Sequence, residues 1–78
     1  MYNLKIKIMS KFSFLKGFNQ VKRKDIAKVK RELMETLQIT TRPAWDSRLK
    51  GKVEPRVSEA EAIESVFSKY GIKEVWGA

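Results

Sequence analysis

The stretch Thr40-Thr41-Arg42-Pro43-Ala44-Trp45-Asp46-Ser47-Arg48-Leu49-Lys50-Gly51-Lys52 constrains this chain most, because it carries both a start and a stop for one short helix. Pro43 suits a first helical turn, where its missing N–H would have no partner and its fixed φ is already helical. Thr40 and Thr41 are the candidate N-caps. Gly51 is the candidate left-handed residue just past the helix end. Trp45 and Leu49 stand four apart, share one face and are assigned to the core. The opposite face carries Pro43, Ser47 and Lys50, with Ala44 and Asp46 beside them and Arg42 and Arg48 on the flanks. The outward side is small, polar and basic.

Charge is distributed unevenly along the 78 residues. Residues 1–56 hold 15 Lys and Arg against 5 Asp and Glu, whereas residues 57–78 hold 2 against 4. A solubility coat would be spread evenly; a basic two-thirds followed by a mildly acidic remainder points to a polyanionic partner. The chain has no cysteine and no histidine. Disulfides and thiolate-bound metals are therefore excluded, and so are the commonest general base and the commonest metal ligand. With no phosphate-cradling glycine loop or nucleophile elbow either, no catalytic role and no cofactor are expected. No apolar run reaches membrane-spanning length and no signal-peptide core is present, so a reducing cytoplasm is the expected location.

The other segments fall into order around the central helix. Tyr2-Asn3-Leu4-Lys5-Ile6-Lys7-Ile8 alternates at period two, which marks residues 1–9 as a strand or arm that needs a partner. Residues 10–78 form one domain. Ser10 is expected to cap a helix with apolar face Phe12, Leu15 and Phe18, ended by Gly17 and Asn19. A longer helix is expected from Asp25, its cap, to about Gln38, with apolar stripe Ile26, Val29, Leu33 and Leu37, Met34 alongside, and Ile39 as an anchor in the turn. Lys24, Lys28, Arg31 and Glu35 follow its exposed side. After Gly51, Val53 and Val57 are expected to tuck inward from a loop. Ser58 and Glu61 make an S-x-x-E capping box for a last helix with Ile63, Val66, Phe67 and Tyr70 inside and Gly71 as its stop. Ile72, Val75 and Trp76 are expected to fold back on the core. All-α is the class these elements compose, a bundle of about four helices.

The run Leu33-Met34-Glu35-Thr36-Leu37-Gln38-Ile39-Thr40, then residues 42–51, then Pro55 and the helix of Ile63, Val66 and Phe67, resembles the phage-repressor-like (Cro/CI, XRE-type) helix-turn-helix family. It is close to short helix-turn-helix proteins of bacterial mobile elements. In that pattern a helix with a central Leu-Ala pair, here Leu33-Met34, precedes a tight turn and a recognition helix. The chain departs from it in having Met34 at the small position, Gln38 at the turn glycine, and one extra residue around Thr40-Thr41. The resemblance implies a lambda-repressor-like fold that binds double-stranded DNA as a homodimer and regulates transcription. Thr41, Arg42, Ala44 and Ser47 would then meet base edges, and Lys22, Arg23, Lys24, Lys28, Arg31, Arg48, Lys50 and Lys52 would meet phosphates. The alternative is a small basic RNA-binding or protein-docking module that uses the Phe12, Leu15 and Phe18 helix without reading duplex sequence.

Overall fold

The computed structural model describes residues 11–78, and over them the chain is all-α. The expected arm of residues 1–9, and Ser10 as a cap, lie outside the described residues. Four α-helices follow one another: α1 (Leu15–Phe18), α2 (Ile26–Leu37), α3 (Arg42–Leu49) and α4 (Val57–Ser68), with a single 3-10 turn (Arg23–Asp25) leading into α2. The core is one cluster. Val29, Leu33 and Leu37 of α2 meet Ile63, Val66 and Phe67 of α4, and Trp45 and Leu49 of α3 close the side. The apolar spacing of α2 and α4 thus does what period 3.6 demands of it.

Three helices stop in the same way. After α2, Gln38 takes φ 57° and ψ 43°, and the N–H groups of Gln38 and Ile39 donate to Glu35 and Met34. After α3, Gly51 has φ 80°, with Gly51 and Lys52 donating back to Arg48 and Ser47. After α4, Gly71 has φ 77°, with Gly71 and Ile72 donating to Ser68 and Phe67. Each is a Schellman ending, which satisfies the last free carbonyls through one left-handed residue. The turn without glycine is therefore made by Gln38 itself, a side chain placed where a Cβ costs about 1–2 kcal/mol.

The first segment differs from its expected form. Lys11 and Phe12 are helical, the chain breaks at Ser13 and Phe14, and α1 then runs only four residues. Phe14, 1% exposed, is the aromatic at the centre, with ring centroids 5.7 Å from Trp45, 6.2 Å from Phe67 and 6.4 Å from Trp76. Ser13 is the one buried polar side chain among the described residues. Its hydroxyl donates to the Leu49 carbonyl at 2.8 Å and accepts the Leu15 N–H at 3.1 Å. Gly17 is inside α1 rather than after it, and a Cβ there would stand 3.0 Å from the Val75 Cα, so the close approach of the last segment needs glycine. The last residues do fold back: Gly17 N–H donates to Val75, Lys16 N–H to Gly77, and Gly77 N–H to Ser13. Ile72 and Val75 are buried in consequence.

Four further expectations are corrected. Ile26 is 38% exposed, since the 3-10 turn rotates the entry to α2 and leaves the stripe to begin at Val29. Asp25 occupies the cap position of α2 without a side-chain cap bond. Val53 and Val57 stay outside, Val57 at 77% exposure. The last helix starts at Val57, so Glu59 rather than Glu61 sits three residues past the cap. Its carboxylate accepts the Arg56 N–H at 2.9 Å, the returning half of a capping box, and Ser58 is an ordinary first-turn residue.

Candidate nucleic-acid interface

The turn between α2 and α3 is four residues long, from the left-handed Gln38 to the extended Thr41. Thr41 Oγ1 accepts the Ala44 N–H at 3.3 Å, and Pro43 lies in the first turn, so α3 begins where its sequence directs. Arg42 and Pro43 are exposed at that end. Ala44 and Ser47 are half-buried, and Asp46 and Lys50 are exposed. Of the residues assigned to base edges, Thr41 thus spends an oxygen lone pair on the cap, and Arg42 is the long side chain left free there.

Five contacts fix α3 to the rest of the fold. The Trp45 ring meets Phe14 edge-on, and Phe18 likewise at 5.4 Å between centroids. The Lys30 ammonium stands 5.6 Å from the Trp45 ring centroid, a cation–π contact from α2. Leu49 is buried, and its carbonyl receives the Ser13 hydroxyl. Arg48 makes the fifth contact. Its Nη1 and Nη2 donate to Glu59 Oε1 and Oε2 at 3.1 and 3.2 Å, with both side chains largely covered. The guanidinium that the resemblance places at a phosphate makes this pair within the fold, a bridge to a neighbouring helix being the other role open to it from sequence.

The electrostatics follow from these pairings. The hydrogen bonds from Arg48, and then from the Arg56 N–H, hold the Glu59 carboxyl below the ordinary glutamate value. On the far side of α2, the Tyr70 hydroxyl donates to Glu32 at 2.9 Å and the Lys69 ammonium to the same carboxylate at 3.2 Å. These bonds lower the Glu32 pKa, and the bond to Glu32 raises that of Tyr70. Lys50 has an exposed partner in Asp46 at 3.8 Å, one turn back, a geometry worth a few tenths of a kcal/mol at about 0.3–0.5. By contrast Lys22, Arg23, Lys24, Lys28, Arg42 and Lys52 are exposed and in no ion pair among the described residues. Lys22, Arg23 and Lys24 lie before and within the 3-10 turn, Lys28 on the outer side of α2, Arg42 and Lys52 at the two ends of α3. Arg31 is also exposed, and lines a groove on α2 with Glu35.

Sequence patterning did not reveal Arg48's partner, Ser13 or Phe14. The first needed the helix start at Val57, and the other two needed the position of α3. Among the described residues no helix is long and apolar enough to cross a membrane. Compared with family models, curated proteins and solved structures, the chain matches none.

Proposed function

We propose that this chain is a sequence-specific binder of double-stranded DNA, a transcription regulator of phage or mobile-element type that presents α3 to the major groove. One observation carries the reading. α3 is capped at both ends and anchored by Trp45, Leu49 and Arg48, yet Arg42, Pro43, Asp46 and Lys50 stay exposed, with Ala44 and Ser47 half-buried between them. A helix held rigidly on one face and exposed on the other is what base reading requires, since base edges are met by side chains of fixed position. Arg42, with Ala44, Ser47 and the Thr41 methyl, would serve base edges. Lys22, Arg23, Lys24, Lys28, Lys50 and Lys52 would serve phosphates. The packing of Phe14, Phe18 and Trp45 against one another favours duplex over single-stranded RNA, because rings buried edge-to-face offer no stacking platform.

Affinity for a selected and a scrambled duplex, measured across salt concentration, tests this. Contact with roughly six phosphates gives a log–log slope near −0.9 per phosphate, and the selected duplex keeps its advantage as salt rises. A flat salt dependence removes nucleic acid from the reading. A steep slope with equal affinity for both duplexes removes base recognition.

A further inference from the structure

A groove of about 460 Å³ runs along the outer side of α2 and round the turn that follows it. Ala27, Met34 and Ile39 give it a hydrocarbon lining, and Arg31 and Glu35 stand in it one helical turn apart. No other described element covers it. Arg31 and Glu35 are both exposed, and neither makes an ion pair, although four other pairs form among the described residues. An apolar trough with two uncommitted opposite charges has a surface that complements itself.

We propose that this groove is the contact between two copies of the chain, their α2 helices antiparallel across a two-fold axis. In such an interface a residue placed on one side of the axis meets the residue placed equally far on the other. An axis level with position 33 matches the two charges and the apolar lining residues. It sets Arg31 against the partner's Glu35, twice per interface. It also sets the small Ala27 opposite the partner's Ile39, and brings Met34 of each copy close to the axis, where a flexible thioether fills the joint. No other axis position along α2 pairs the two charges. The interface is built from α2 and the turn after it rather than from α3, so association and duplex binding are read by separate measurements. It does remove Arg31 from the residues free to meet phosphate.

Sedimentation equilibrium of the full chain, with a reciprocal charge swap, is the test. The wild-type chain self-associates. Arg31→Glu and Glu35→Arg each place like charges face to face and weaken the dimer at least about tenfold, and the double variant returns to within about threefold of wild type. Both positions are exposed, and thermal melts of each variant separate any effect of the same pair within one helix from the effect on association. The proposal is overturned by a chain that stays monomeric to about millimolar concentration, a range covering even weak dimers. It is equally overturned if the single swaps leave the dimer unchanged, if the double variant fails to recover, or if Arg31→Glu weakens only duplex binding.

Discussion

The guanidinium of Arg48 and the carboxylate of Glu59 face one another as two parallel hydrogen bonds, 3.1 and 3.2 Å long, and so join the last turn of α3 to the first turn of α4. The same carboxylate caps α4 through the Arg56 N–H. One acidic side chain therefore sets both the start of α4 and the roll of α3 about its axis. Two parallel donors fix an angle as well as a distance, which a single ammonium would not.

Arg48→Ala is expected to destabilise the domain by about 1–2 kcal/mol, between the limits for exposed and fully buried pairs. The pair also gives a pH signature. Because the fold lowers the Glu59 pKa below its ordinary value of 4.5, its contribution is complete above that value and fades as pH falls through the lower, folded one. Urea melts from neutral to acid pH should show stability declining below about pH 4.5, and Glu59→Gln should flatten that decline. Glu32 acts in the same direction. An undiminished slope in Glu59→Gln would mean that the pair carries no linkage.

Stability and recognition should separate on α3. Trp45 is buried against Phe14 and Phe18, so Trp45→Ala is expected to cost about 3–5 kcal/mol in thermal or urea unfolding. Arg42 is exposed, and Arg42→Ala should leave stability within about 0.5 kcal/mol. On a selected duplex the latter should cost about 1–3 kcal/mol and relax preference at one base pair. Should Arg42→Ala bind as wild type while Trp45→Ala keeps the fold, the assignment of inner and outer faces is reversed.

Gln38 is the one non-glycine residue with positive φ among those described. Gln38→Gly relieves the Cβ at the left-handed position, and part of the gain is offset by a freer unfolded chain. A net stabilisation of about 0.5–1 kcal/mol is expected, read as a higher melting temperature with no change in helix content. Gln38→Val should lower it, since a β-branched residue suits that conformation least.

Tyr70 supplies a prediction at the alkaline end. Its hydroxyl donates to the Glu32 carboxylate, so ionisation is resisted and its pKa lies above the ordinary 10.0. A raised folded pKa means that the bond contributes fully below pH 10.0 and is lost as pH climbs through the folded value. Ultraviolet titration of the wild type minus Tyr70→Phe should show this phenol ionising above the ordinary range. A midpoint at or below that range would mean the bond to Glu32 does not persist in solution.

How far these features could be read from sequence depends on the range of the interaction behind each. Pro43, Gly51 and the Thr41 cap act within one turn, and α3 begins and ends where they indicate. The stripes of α2 and α4 were readable for the same reason, apart from Ile26, whose exposure follows from a 3-10 turn that no spacing announces. Ser13 bonds a carbonyl 36 positions away, and Phe14 is buried by three aromatic rings from distant segments. Neither leaves a periodic trace. The S-x-x-E box at Ser58 failed because the pattern is local, whereas Glu59 is held in part by Arg48 of another helix. Gln38 was legible as a departure from glycine, but not as the residue that would adopt the left-handed conformation unaided.

The return of the last residues onto α1 has a kinetic side. Ser13, Lys16 and Gly17 bond to Val75 and Gly77, so the two ends of the described chain are stitched together across about sixty positions. Closing so long a loop is entropically expensive only once, but it must precede any benefit from these bonds. Phe14 is enclosed by Trp45, Phe67 and Trp76 together, so its full burial needs the far segment folded back. Helices α2, α3 and α4, whose contacts are nearer in sequence, have first opportunity to associate. The return of Val75 and Gly77 onto Ser13, Lys16 and Gly17 would then come last, as the step that turns a loosely joined set of helices into a locked one.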